Sequence, residues 1–563
     1  MTLRKPREML IDKAIFYFNE KIKNKVDLKL LAFLLLFLNV KLVIKIPVII
    51  LFTLLQFNFK FGFSFKNSRL PIFYPLVIAI AVFNWLIGNN YANLNYTVVL
   101  LTGIGFWIVC ILAIHQVKLA VEQNDPAVIH QTIIVFFIIN ALFSVGNLAV
   151  IFLDTHAINP YTYQAQLQKY FINTGDYVRG ITFDTSTTNA VLNAAGVIYF
   201  LVRKNALMLF VCMATLLLTG SNFINIVILL IFLLVFAFRS NRYQKSLIVI
   251  CLVFLSVFMA KISPQNNNYA TDTVKTLLHK DVSVAKPSIW ANVQIRFRPD
   301  SVLNADERRQ KIAKIFMDSV YTVKHLHDKA ITNAESKVYV VDGGRIAIKG
   351  PDINSASYQS SKQTPPEQEK LVQFIDAHKK ELPISGKETP ESTPTTPGKI
   401  KGFLQTAFFL QKHLNNTITG IGMGNFSSKL AFRATGLGFA GGYPHKFVYI
   451  NHDFMVNHLD VYLNYFSKRA GLHSLTNSPF SVYDQLLAEY GLIGIAGFFI
   501  YYLGFFAKHH SVLTYGLPIL LLMLAVFFIE YWIEQLSVVV FFELLLLLNI
   551  KENSTLKPLT NEF

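Results

Sequence analysis

Tyr483-Asp484-Gln485-Leu486-Leu487-Ala488-Glu489-Tyr490-Gly491-Leu492-Ile493-Gly494 closes a long polar run, Ser263 to Val482, and opens an apolar one reaching Phe506. A polar stretch that returns to lipid-grade sequence is read as a loop held between two sets of membrane spans. Just before the return, Gly420 to Gly491 carries Gly, His, Tyr and Arg more densely than any other region. Bulk composition agrees with this reading. The 563 residues are 53% hydrophobic and 15% charged, with a mean hydropathy of +0.41. A soluble chain carries about a quarter charged residues. The fold class expected is therefore an α-helical polytopic membrane protein of about 12 transmembrane helices, with a large external, periplasmic loop bearing a small α+β insertion.

The net charge of +18 would raise nucleic acid as a partner in a soluble protein. Here lysine and arginine gather in short loops, where they orient the chain against the membrane, so no nucleic acid is expected. Residues 1–27 are basic and partly amphipathic and read as a cytoplasmic segment at the membrane surface. No cleavable leader is read there, because the first apolar run starts near Leu28. Spans one to nine fill 28–262. The first pair is a short hairpin turning near Lys41 and Lys45, and the rest run at 70–87, 97–114, 132–153, 189–202, 206–218, 223–238 and 246–262. An external segment, 154–188, interrupts them. Spans ten to twelve fill 491–550, and 551–563 is a cytoplasmic tail. This topology places both termini inside and puts 154–188 and the long loop on the same external face. Cys110, Cys212 and Cys251 all sit in apolar runs, and the loop has no cysteine for a disulfide or a thiolate metal site.

The loop divides internally. Residues 263–350 hold the insertion: alternation at Ser288–Phe297 predicts a strand, Asn304 with Glu307 predicts a capped helix, and Asp342-Gly343-Gly344 between two apolar runs predicts a hairpin. Residues 351–397 are rich in Ser, Thr, Pro, Lys and Glu and read as a flexible linker. Order resumes in 398–490, a catalytic-type helical loop, with a helix at Leu404–Leu414.

Three patches can carry chemistry. They are Arg179-Gly180-Ile181-Thr182-Phe183-Asp184; Gly420-Ile421-Gly422-Met423-Gly424-Asn425-Phe426 followed by Arg433; and the histidines His445, His452, His458 and His473 before the return. Gly422 and Gly424 read as turn-formers, since no strand–turn–helix phosphate motif surrounds them. Tyr443 and Tyr449 offer faces for sugar rings, or pack the loop. Glu489 caps or anchors the returning helix, or else contacts substrate. Glu543 lies inside span twelve, where a carboxylate needs a partner or a polar cavity.

In this order the motifs resemble the O-antigen ligase and O-antigen polymerase superfamily of membrane glycosyltransferases. An external Arg-Gly-x-x-x-Asp precedes a span, and Thr219-Gly220-Ser221 separates a span pair. A large external loop follows, with a Gly-x-Gly-x-Gly-Asn-Phe turn and the Ala-Glu-Tyr-Gly-Leu-Ile-Gly return. The resemblance covers about 130–510, apart from the insertion and linker. It implies transfer or polymerisation of an oligosaccharide from a polyprenyl-diphosphate donor to a glycan or lipid hydroxyl, with neither metal nor other cofactor. Partners are the lipid-linked oligosaccharide, the acceptor, membrane lipid and other polysaccharide-assembly proteins, in a bacterial inner membrane.

Such a reaction needs cations on the leaving diphosphate and a base for the hydroxyl. Arg179 matches the family's arginine, and Arg433 is a second cation. Lys399, Asp184, Tyr443, His445, Tyr449 and Glu489 are candidates for holding diphosphate or sugar. Asn222 stands where many members have an arginine, Gly398-Lys399 where they have Gly-Arg, and Phe480-Ser481 where they have a His-Asn pair. The base is thus moved, to His473 or to His458. The elaborate loop favours polymerase over ligase. The alternatives are a transporter or flippase of a lipid-linked glycan or anionic solute, and a non-catalytic scaffold.

Overall fold

A computed structural model describes residues 25–38, 41–56, 61, 70–88, 90–156, 159–162, 178–262, 339–342, 345–348, 397–436, 443–459, 461–462, 478–531 and 537–554. The first helices are α1 (Leu28–Phe37), α2 (Leu42–Leu55), α3 (Phe73–Ile87), α4 (Leu94–Gln123) and α5 (Pro126–Thr155). They continue as α6 (Ser186–Val202), α7 (Ala206–Leu218), α8 (Asn222–Phe238) and α9 (Arg242–Val257). Short helices follow in the loop: α10 (Gly398–Lys412), α11 (Leu414–Thr419), α12 (Lys429–Ala434) and α13 (His452–Asn457). The last three are α14 (Val482–Gly497), α15 (Gly516–Ile529) and α16 (Ser537–Ser554).

Among the described residues, four helical stretches are long and apolar enough to cross a membrane: Leu94–Gln123, Pro126–Asp154, Arg242–Ile262 and Val482–Ala507. Large side chains face outward from them, such as Leu101 (61% exposed) and Leu142 (66%). Water would penalise so much apolar surface and lipid does not. These are the features of an α-helical membrane protein.

Polar contacts gather at the two ends of the bundle. At one end, the amide of Asp27 donates to Thr132 Oγ1 (2.9 Å), Arg203 pairs with Glu552, and Lys551 Nζ donates to the carbonyls of Val121 and Asn124 (2.7 Å each). At the other, Asn84 Nδ2 donates to Thr419 O (2.6 Å), Tyr96 OH to Met423 O (3.2 Å) and Asn95 Nδ2 to Val448 O (3.0 Å). Those last three bonds seat the loop on α3 and α4. Helix α6 is the hub, buried from Ser186 to Leu201, with Gly196 packed against Phe137 and Cys212. All three cysteines face the core.

Several expected boundaries move. Helix α7 matches its predicted limits, but α4 runs on to Gln123 through sequence read as a loop. A Lys118–Glu122 pair one turn apart (3.7 Å) supports that polar extension, and Pro126 then opens α5. Helix α9 starts at Arg242, capped reciprocally by Asn241 and Gln244, and continues as π-helix through Ile262. Helix α14 starts at Val482 rather than Gly491 and continues as π-helix and α-helix to Ala507. The predicted hairpin is present: β1 (Tyr339–Asp342) pairs antiparallel with β2 (Arg345–Ile348), Asp342 facing Arg345. The strand at 288–297, the helix after Asn304, residues 1–24 and the linker up to 396 lie outside the described residues.

Candidate functional site

Helix α14 is kinked at Gly491, whose φ of +66° and ψ of −164° are not helical. A Cβ there would lie 2.4 Å from Ile418 O, so the approach of the α11 terminus requires glycine. The kink frees backbone groups, and the Gly420–Ser428 turn takes them up. Ile421 N donates to Ala488 O (3.0 Å) and Gly422 N to Glu489 O (3.2 Å). The Glu489 side chain completes the junction. It accepts from Gly424 N (2.8 Å), Phe426 N (3.1 Å) and Ser428 N (3.1 Å), with no exposed surface. Its carboxylate is committed to three amides of its own chain, so the substrate-contact reading of Glu489 is corrected to the anchoring one.

Lys399 is also corrected. It is 3% exposed, and its ammonium donates to Ser478 O (2.9 Å), Phe480 O (2.7 Å) and Ile529 O (2.5 Å). Three acceptors occupy the three N–H groups, leaving none for a diphosphate. The side chain ties the start of α10 to the approach of α14 and the end of α15. Burial pulls its pKa down to about 8, opposed by Glu530 and Asp484. Burial raises Glu530 from 4.5 to about 7, opposed by Lys399 and Lys429. A carboxyl with a raised folded pKa contributes stability that is lost as pH rises through the folded value. Wild-type melting temperature is therefore expected to fall between pH 4.5 and about 7 by an increment that Glu530→Gln lacks. Equal slopes in a pH series of melts would remove Glu530 from that role.

Behind this tie sits His458, fully buried, its ring stacked on Phe426 at 4.9 Å and edge-on to Tyr462 at 5.4 Å. Its Nε2 lies 3.8 Å from Asp484 Oδ2 on the first turn of α14. That separation is too long for a direct hydrogen bond, yet close enough for a carboxylate to stabilise an imidazolium. Gly402 borders both: a Cβ there would be 3.5 Å from His458 Cε1 and 3.7 Å from Asp484 Oδ2.

Arg179 stands on the 3₁₀ turn Gly180–Thr182 with its side chain exposed. A network of buried amides fixes the backbone beneath it. Gly180 N donates to Asn147 Oδ1 (2.9 Å) and Ile181 N to Asn140 Oδ1 (3.1 Å). Asn189 Nδ2 donates to Val178 O (2.8 Å) and Ser144 Oγ (2.9 Å), and Asn140 Nδ2 to Asn189 Oδ1 (2.9 Å). Gly180 has a φ of +56°, and a Cβ would sit 2.5 Å from Asn140 Oδ1. The turn is therefore preorganised, with its arginine projecting outward.

Asp184 accepts from Thr188 Oγ1 (2.6 Å) and lies within electrostatic range of Glu530. Arg433 is half-buried in the last turn of α12. Tyr443 is 8% exposed, and its hydroxyl has no hydrogen-bond partner among the described residues. Tyr449 packs on Tyr96 at 5.1 Å, and its amide donates to Ala434 O (2.9 Å). His445 opens a 3₁₀ turn, but its side chain lies outside the described residues, as does all of His473. Asp484, Glu530, Lys429 beside Tyr531, and the asparagine network are additions that sequence reasoning did not single out. The asparagines had a signal: Asn140, Ser144 and Asn147 recur at four and three residues in an apolar run, one polar stripe on a helix. No protein-family profile, curated protein or solved structure matches the chain.

Proposed function

We propose that this chain is a twelve-span membrane glycosyltransferase of the O-antigen ligase or polymerase type, with polymerisation favoured. It takes an oligosaccharide from a polyprenyl diphosphate at the outer face of a bacterial inner membrane and passes it to a glycan or lipid hydroxyl. The observation that supports this reading is the preorganised turn that presents an exposed Arg179, followed by Asp184, whose charge acts on Glu530 beside Lys399 of the 398–490 loop. In the reaction the acceptor oxygen attacks the anomeric carbon and the bond from that carbon to the diphosphate oxygen breaks. The diphosphate leaves on its lipid, and the hydroxyl proton passes to His473, since His458 is fully buried between Phe426 and Tyr462. Arg179 offsets the charge growing on the diphosphate.

A second reading, transport, draws on Glu543 within α16. Its Oε1 accepts from Tyr502 OH (2.9 Å) and from Tyr74 OH. Intramembrane carboxylates often mark a path. Here the group is 1% exposed and closed over by two tyrosines, an arrangement suited to a structural tie between α3, α14 and α16.

The test is turnover. Purified protein in detergent with a polyprenyl-diphosphate oligosaccharide and EDTA is expected to form glycan bonds and release polyprenyl diphosphate. Arg179→Ala is expected to lower kcat/KM by about 10²–10³-fold, the scale for loss of one electrostatic contact to a transition state. His473→Gln is expected to remove the acid limb of the pH–rate profile, whereas His458→Gln, a change in a buried and packed ring, is expected to lower the melting temperature and leave that limb in place. Undiminished turnover in Arg179→Ala, or uptake of donor without product, would reject the assignment.

A further inference from the structure

The end of the bundle away from this site holds a cavity of about 390 Å³ between α1, α2, α4 and α5. That volume falls in the range of small-molecule pockets. One wall is apolar, with Phe33 and Phe52. The other is polar, and most of its groups are already engaged. Asp27 Oδ1 accepts from Lys29 N (2.9 Å) and Leu30 N (3.1 Å), and its Oδ2 from Asn124 Nδ2 (2.8 Å). Gln56 Nε2 donates to Gln123 Oε1 (2.6 Å). What remains is donor capacity. The Lys29 side chain is exposed at the rim, and the Gln116 carboxamide, only 4% exposed, has an Nε2 without a hydrogen-bond partner among the described residues. A buried N–H left unpaired costs about 1–3 kcal/mol, so such a group implies a missing acceptor.

We infer that this cavity is a binding site for an anionic phospholipid, its phosphate oxygens on Lys29 and Gln116 and its acyl chain along Phe33 and Phe52. With the Asp27 carboxylate already answered by three N–H groups, the complement of the two remaining donors, one of them cationic, is an oxygen-rich anion, and the complement of the aromatic wall is an alkyl chain. The cavity is lined by the start of α1 and the ends of α2 and α4, the level at which the membrane reading of these apolar helices puts lipid head groups. The site rests on the membrane reading of the fold and is independent of the transferase assignment.

Full-length protein in detergent, stripped of lipid, tests it by native mass spectrometry and thermal unfolding with added phosphatidylglycerol, phosphatidylcholine or soluble glycerol phosphate. Phosphatidylglycerol is expected to stay bound and raise the melting temperature. Phosphatidylcholine and glycerol phosphate are expected to bind at least about tenfold more weakly, since one lacks the net charge and the other the chain. Lys29→Ser and Gln116→Leu are each expected to weaken phosphatidylglycerol by about tenfold. Lys29 is exposed, so its variant retains the fold should Gln116→Leu not. Equal affinity for both lipids, or unchanged binding in Lys29→Ser, would overturn the site. Stabilisation by glycerol phosphate equal to that by phosphatidylglycerol would assign the cavity to free phosphate and overturn the lipid.

Discussion

Glu489→Ala is expected to lower the unfolding free energy by about 3–5 kcal/mol, a large share of what typically holds a folded domain. The change strands the amides of Gly424, Phe426 and Ser428 in a buried junction at once. Each orphaned N–H costs about 1–3 kcal/mol, partly recovered because the buried carboxylate's own desolvation is relieved. Glu489→Gln keeps one acceptor oxygen and is expected to lose roughly half as much. Thermal melts in detergent check both values. A further sign separates anchoring from catalysis: as the Gly420–Ser428 turn loosens, proteolysis within it should rise in step with the lost stability. A Glu489→Ala protein that melts like wild type but has no activity would return the residue to the catalytic set.

Lys399→Met is expected to cost about 2–4 kcal/mol, because three carbonyls from two distant stretches lose their shared donor. Removing the cation also leaves half-buried Glu530 without the larger of its two compensating charges, with Lys429 remaining. Lys399→Arg is not expected to rescue, since a planar fork cannot reproduce three bonds converging on one ammonium. The double change Lys399→Met with Glu530→Gln should be less harmful than the sum of the single changes, by about 0.5–3 kcal/mol of coupling. Additive losses in such a cycle would show that the two groups do not interact. An unaltered melt accompanied by a raised KM would restore Lys399 as a substrate ligand.

Helix positions were legible in the sequence where apolar runs end against polar residues, as α7 does between Asn205 and Thr219. Ends were misjudged where polar residues carry a helix onward, as Lys118 and Glu122 do in α4, because hydropathy does not register a local ion pair. The sequence Asp342-Gly343-Gly344 signalled, through local chemistry alone, the antiparallel pairing of β1 with β2. Of the candidate site, Arg179 could be picked out because its motif is contiguous. Lys399 could not be assigned correctly, since its acceptors lie 79 to 130 residues away and only the fold shows that they fill its ammonium. Asp484 and Glu530 were passed over for the same reason: their partners are tertiary. Glu489 was readable as an anchor because it sits two residues before the glycine that breaks its helix.

The most direct measurement asks whether the Arg179 turn and the 398–490 loop share one face. In sealed, uniformly oriented vesicles, an impermeant thiol reagent would be applied to Arg179→Cys, His452→Cys and Lys245→Cys, the native cysteines being buried. The first two are expected to be modified from one side, and Lys245→Cys only from the other. Modification of Arg179→Cys and His452→Cys from opposite sides would contradict the single site and, with it, the transferase.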